Sequence, residues 1–265
     1  MNSSVPILMY HSVAQCPPST TRRLSVSPGS FEHQLAFLVE HGFTGMTFSD
    51  VAEAFETGWA LPQRPVVLTF DDGYADFATQ AWPILAHYHY PATVFVTTGW
   101  MADAGERAAG RPLDTMLTRA QVTALAAAGM EIGAHSHSHP KLDEIPDTRL
   151  RAELGDSRAW LEDCTGKPVT ALAYPFGYSS ARVRLAARDT GYRRAAAVRN
   201  VRATPSDDPF MLPRLTIRRR TDESTFAAIM SDAADRSFRR DRLLTAGWGT
   251  VRSVRRVGGR VLHHA

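Results

Sequence analysis

The stretch "VVLTFDDGYAD", residues 66–76, runs apolar and β-favouring residues into two adjacent carboxylates and a glycine. Successive side chains of a regular strand point to opposite faces, so along one Asp71 and Asp72 could not share a site. At a strand's last residue they can, because Gly73 lets the chain turn freely. Two carboxylates in one pocket repel each other, and a cation is the simplest way to keep both ionised. The stretch therefore reads as a buried strand ending at a polar pocket, and it asks for cation ligands elsewhere in the chain.

Comparable runs recur along the chain: "PILMYH" (6–11), "PVVLTFD" (65–71), "ATVFVTT" (92–98), "EIGAHS" (131–136), "TALAYPF" (170–176), "RAAAV" (194–198) and "PRLTI" (213–217). Helical patterns lie between them. One follows Ser27 and Pro28, a cap residue and a first-turn proline, with Phe31, Leu35 and Leu38 on one face. Another starts at Thr118, whose partner in a capping box is Gln121, and stops by Gly129. "SRAWLEDC" (157–164) and "SSARVRLAARDTG" (179–191) are the later ones. Strand–helix alternation predicts an α/β fold with a parallel sheet, open or closed into a barrel. Loops rich in small and charged residues are expected at 101–115 and 199–209.

In parallel α/β folds the functional groups gather at the carboxyl ends of the strands. His11 ends the first run, Asp71 and Asp72 the second, His135 the fourth and Pro175-Phe176-Gly177 the fifth. One pocket is expected to collect them.

Composition sets the bounds. A chain of 265 residues can bury a full core, as one large domain or two small ones. The net charge of +3 is mild, and the basic residues are almost all arginines spread along the chain. Nucleic-acid binding, which needs a concentrated basic face, is not expected. Two cysteines, Cys16 and Cys164, define no disulfide framework. "MNSSVPILMYHSV" has neither a charged leader nor a long apolar run, so a cytoplasmic location is expected.

The cation ligands are sought in "GAHSHSHP", which places His135, His137 and His139 directly after a strand. If the strand stayed extended, His135 and His139 would lie about 13 Å apart, too far for one ion. The segment is expected to curl, with helix-like spacing bringing i and i+4 to one face. A carboxylate with two histidines suits a divalent ion that also holds water. The spacing alone leaves the place of His137 open.

"TFDDGY", "HSHSH" and "YPFG" resemble the first three motifs of the polysaccharide deacetylases, carbohydrate esterase family four. The resemblance extends over most of residues 6–232. It implies an irregular (β/α) barrel with fewer than eight full units. It also implies metal-dependent removal of N-acetyl groups from an amino-sugar glycan or glycoconjugate, a hydrolysis of a carbon–nitrogen bond that releases acetate. By the same resemblance Asp71 is the general base, and Asp72, His135 and His139 hold one divalent ion. Zinc is the first choice, with nickel, cobalt or iron also suited to such a donor set. The backbone N–H of Phe176 is implied as an oxyanion donor. "PILMYHSV" is similar to the first motif of the poly-N-acetylglucosamine deacetylase branch, which implies His11 as the general acid. A rival for that role is His264, at the end of the chain.

The sequence departs from the family in two respects: the fourth motif, an aspartate pair with tryptophan, is not found, and "PVTALAYPFG" (168–177) holds no arginine to pair with the base. Arg214, in "MLPRLTI", is the expected substitute, with a salt bridge to Asp208 as its alternative. Trp100 and Tyr74 could stack on a sugar or serve as core aromatics. Residues 1–235 are expected to form the catalytic domain and 236–265 an arginine-rich tail, either solvated or lying on an anionic membrane surface. Three other activities share some of these features: hydrolysis of another amide or an O-acetyl ester, a two-histidine–one-carboxylate oxygenase, and glycan binding without turnover.

Overall fold

The computed structural model describes residues 4–231. Ten strands lie along that stretch: β1 (Ile7–Tyr10), β2 (Ser12–Val13), β3 (Ser25–Val26), β4 (Thr44–Met46), β5 (Pro65–Phe70), β6 (Thr93–Val96), β7 (Glu131–Ala134), β8 (Ala171–Ala173), β9 (Arg194–Ala196) and β10 (Leu215–Thr216). The α-helices are α1 (Pro28–Glu40), α2 (Phe48–Thr57), α3 (Trp82–His87), α4 (Arg119–Ala127), α5 (Asp147–Thr165), α6 (Ala181–Asp189) and α7 (Glu223–Met230). The main sheet runs β10-β1-β5-β6-β7-β8-β9, with β4 also pairing the first half of β5, and β2 and β3 form a separate parallel pair. Every pair within the main sheet is parallel.

The sheet curls on itself. Leu212 bridges to Ala196 of β9, and Leu215 and Thr216 pair with Leu8 and Met9 of β1. The 212–216 segment thus carries the sheet from its last strand round to its first, giving an incomplete (β/α) barrel, as the sequence predicts.

Side-chain alternation divides the two faces. Leu8, Tyr10, Leu68 and Phe70 point outward beneath the helices. Tyr10, Phe31, Phe70 and Phe77 form a run of aromatic contacts with centroids 4.8–5.6 Å apart. The inner face is narrow, and small residues make it so: Ala171, Ala173 and Ala196 surround Phe95. A side chain at Gly133 would come 2.6 Å from the Phe95 ring. In this register Val67 and Thr69 face inward, and Asp71 continues their side of the strand.

Each of the seven expected strands is found, most shortened by a residue or two at either end. Both expected helix starts carry their caps: Ser30 N donates to Ser27 Oγ, and Thr118 and Gln121 form a capping box. The helix expected at 157–164 begins ten residues earlier, at Asp147. The expected helix-like curl after His135 is corrected. Ser136 (φ 63°) and His139 (φ 58°) are left-handed, so the chain folds back through a turn and not a helix.

Candidate active site

The pocket at the carboxyl end of the barrel is built from the ends of β1, β5, β7 and β8, and from Arg214 just before β10. Asp71 extends the β5 ladder, its N–H donating to Tyr10 O. Arg214 lies wholly buried in the barrel and donates twice to Asp71, Nη1 to Oδ1 at 2.6 Å and Nη2 to Oδ2 at 2.7 Å. Nη1 also reaches Thr69 Oγ1 at 3.0 Å, and the guanidinium lies over the Phe95 ring. Burial pushes the Asp71 carboxyl up, but the Arg214 charge, then His135 and the Arg214 hydrogen bonds, more than offset it. The net effect holds Asp71 below the usual carboxylate range. Asp208 pairs with Arg184 at 3.4 Å, which corrects the alternative partner expected for Arg214.

Asp72 turns where the sequence predicts a turn, but it takes the left-handed conformation itself (φ 76°) ahead of Gly73 (φ 86°). That reversal swings its carboxylate to the inner side. His135 Nδ1 lies 2.8 Å from Ala173 O, and because a carbonyl can only accept, Nδ1 carries the hydrogen. Nε2 is thereby aimed at Asp72. Asp72 Oδ1 stands 3.4 Å from His135 Nε2 and 3.4 Å from His139 Nε2, longer than an N–H···O bond. Ligand atoms of the three residues lie within 4.8 Å of one another.

Asp72 Oδ1 is buried and accepts no well-formed hydrogen bond. A buried carboxylate oxygen and two imidazole nitrogens that converge at distances too long for well-formed hydrogen bonds are a poor arrangement for one another and a good one for a cation. Their chemistry fits a zinc-like ion, with positions left for water and substrate. Burial lowers His135, yet Asp71 and Asp72 outweigh it and leave the imidazole above its ordinary value.

His11 follows β1 directly and faces the same centre. Burial lowers its pKa below the ordinary histidine value, against the pull of Asp72 and Asp71, and its Nδ1 has no hydrogen-bond partner among the described residues. Phe176 sits in a short turn, Pro175–Gly177, with φ 61°. Its ring packs 4.8 Å from that of His139 yet is half exposed, so it forms part of the pocket's outer wall.

The structure brings six of the seven residues singled out for the site to the carboxyl end of the barrel, and the seventh, Arg214, reaches Asp71 with its guanidinium from inside the barrel. His137 lies apart from the ligand set, its Nδ1 2.8 Å from Thr98 Oγ1. Trp100 and Tyr74 are buried, with Trp100 packed 4.8 Å from His139, so they are walls and not stacking platforms. Asp103 caps α4 through Arg119 N, and Asp114 accepts from Thr115 N. His264 and the arginine-rich tail fall outside the described residues. No described helix is long and apolar enough to cross a membrane.

Sequence reasoning missed Glu153 of α5. Its carboxylate, 5% exposed, accepts from His137 N and Ser138 N at 3.0 and 2.7 Å and from Ser138 Oγ. The signal was available: Leu150, Glu153, Leu154, Ser157 and Leu161 share the buried face of one helix, and a carboxylate on such a face needs donors.

A family model described as polysaccharide deacetylase matches residues 60–195. The chain is 26% identical over 226 residues to YxkH of Bacillus subtilis, a protein named after the same family, covering 85% of this chain and 76% of that one. It is 24% identical over 205 residues to a poly-β-1,6-N-acetyl-D-glucosamine N-deacetylase of Staphylococcus aureus, covering 74% of this chain and 69% of that protein. Among solved structures, the Streptococcus pyogenes deacetylase PplD in complex with acetate superposes with a TM-score of 0.78 at 26% identity. The match covers 87% of this chain and 100% of that one.

Proposed function

This chain belongs to the polysaccharide deacetylase family, and from that premise we propose that it hydrolyses N-acetyl groups on an amino-sugar glycan or glycoconjugate, releasing acetate and a free amine. The observation that supports this reading is the pairing of two unlike carboxylates. Asp72 converges with His135 and His139 as a ligand set, while Asp71 beside it is locked by Arg214 and kept free of that set.

The roles follow from the environments. When bound by Asp72, His135 and His139, a divalent ion would acidify water and polarise the acetyl carbonyl. Zinc is our first choice for it. Asp71 accepts the proton of the attacking water. Its two hydrogen bonds from Arg214 fix the carboxylate plane, which costs basicity but removes the need to reorient. The water oxygen adds to the acetyl carbon, and the Phe176 N–H donates to the oxygen that becomes negative. His11 delivers a proton to the sugar nitrogen as the carbon–nitrogen bond breaks. Burial makes His11 a readier donor than an exposed histidine once it is protonated. Residues 1–235 form the catalytic domain on this reading, with 236–265 as an appended tail.

The test is a product balance. With N-acetylglucosamine oligomers as substrate, acetate and new free amine should appear in equal amounts. Acetate released only from O-acetylated sugars, with no new amine, would move the assignment to an esterase.

A further inference from the structure

We propose that Glu153 is a positioning residue for the metal centre, the anchor that holds the turn at residues 136–139 in the shape that delivers His139 to His135. The inference rests on the metal reading above and concerns how the ligand set is kept assembled.

His135 is held by its strand, since its N–H donates to Val96 O and its ring to Ala173 O. His139 has no strand. It reaches Asp72 only because Ser136 and His139 both adopt left-handed backbone, which side chains other than glycine occupy at a cost. Such a turn persists only when its surroundings over-determine it. Two backbone bonds come from the neighbouring loop, Thr98 N to Ser136 O at 3.3 Å and Gly99 N to His137 O at 2.7 Å; Thr98 Oγ1 also meets His137 Nδ1 at 2.8 Å, and one bond is internal, His139 N to Ser136 Oγ at 3.0 Å. These leave the His137 and Ser138 N–H groups and the Ser138 hydroxyl. All three donate to the one carboxylate of Glu153.

That carboxylate has no comparable second task. Its other charged contact is Arg149 Nε at 3.7 Å, on a side chain more than half exposed. A carboxylate buried on a face shared with Leu150 and Leu154 costs free energy unless it is hydrogen-bonded, so its presence here is explained by its donors and not by its helix. The donors all belong to the turn that carries His139.

The account separates hydrogen-bond acceptance from charge. In Glu153→Gln, the amide oxygen can replace Oε2 for both backbone N–H groups, and the amide nitrogen can donate to Ser138 Oγ, whose hydroxyl rotates to accept. Glu153→Met keeps the volume and the helix but accepts nothing. The measurement is cobalt affinity and the visible spectrum of the cobalt-loaded full chain, with far-UV circular dichroism as the check on folding. Glu153→Met is expected to weaken cobalt binding by about 10–100-fold and to alter the visible bands, with Glu153→Gln within about threefold of wild type.

Wild-type affinity and spectrum in Glu153→Met would overturn the proposal, as would equal losses in Met and Gln. Should Glu153→Met not fold, Ser138→Ala removes the hydroxyl bond alone; a few-fold loss supports the anchor and no loss contradicts it. A wild-type chain that takes up no cobalt contradicts the metal reading itself, a result distinct from failure of the anchor.

Discussion

Asp71 and Asp72 are adjacent in the chain and opposite in environment, one paired with an arginine and the other left open toward two imidazoles. Removing one partner of a buried pair strands the other, typically at about 3–5 kcal/mol. Arg214→Met should therefore lower unfolding stability by about that amount in urea titrations, and abolish most turnover; a loss under about 1 kcal/mol would show that Asp71 is satisfied without it. Asp76 gives a pH-dependent case. Burial raises its carboxyl above the usual value, while Ser12 and Val13 pull it down and Asp114 pushes it up. An acid raised in the fold is penalised when ionised, with the penalty full above its folded pKa and absent below its unfolded one. Asp76→Asn should thus melt at higher temperature than wild type at pH 7 and gain nothing near pH 3; equal shifts at both would contradict this. At this scale much was legible. The carboxylate pair marks a strand end in the sequence alone, whereas the histidine spacing left His137 beside His135 and His139 as candidates and only the family resemblance chose between them. Arg214 was legible only as a candidate, because its partner lies 143 residues away and only the closing of the barrel joins them.

The elements that hold the turn were harder to read. The loop after β6 touches it so closely that a Cβ at Gly99 would stand 2.6 Å from His137 O, and one at Gly110 2.5 Å from Ser138 O. Neither contact can relax by moving a flexible side chain, since both meet backbone. Gly99→Ala should push the turn from Asp72 and reduce metal affinity about tenfold or more, with helical circular dichroism unchanged. Affinity equal to wild type would mean the loop, not the turn, gives way. Periodicity could not foresee such contacts, because a glycine's close neighbours are set by packing between loops distant in sequence. It also missed β2, β3 and β4, which are two or three residues long and carry no alternation to detect. The early start of α5 escaped because Glu153 interrupts its buried apolar face and Gly155, beside it, is a weak helix former. α2 was missed too, although Thr47 and Asp50 form a capping box and Phe48, Val51 and Ala52 share its buried face.

Over the whole molecule, the parallel barrel explains why residues from 11 to 176 meet at one end and why Arg214 reaches them from inside. Each strand delivers its last residue to the same rim, and the 212–216 segment brings Arg214 into the interior beside Asp71. The α/β class with its parallel sheet was legible from alternation and the incomplete barrel from the family resemblance, whereas the narrow alanine-lined interior that seats Arg214 and Phe95 depends on how strands pair. The two aspartates divide the labour, Asp72 toward the ion and Asp71 toward the proton. The decisive measurement is acetate release from N-acetylglucosamine oligomers after chelation and zinc add-back, comparing wild type with Asp71→Asn at equal bound zinc. The account predicts that chelation stops wild-type release, that zinc restores it, and that Asp71→Asn binds zinc yet releases acetate at least about 10²-fold more slowly. Release that survives chelation, or an Asp71→Asn variant as active as wild type, would contradict it.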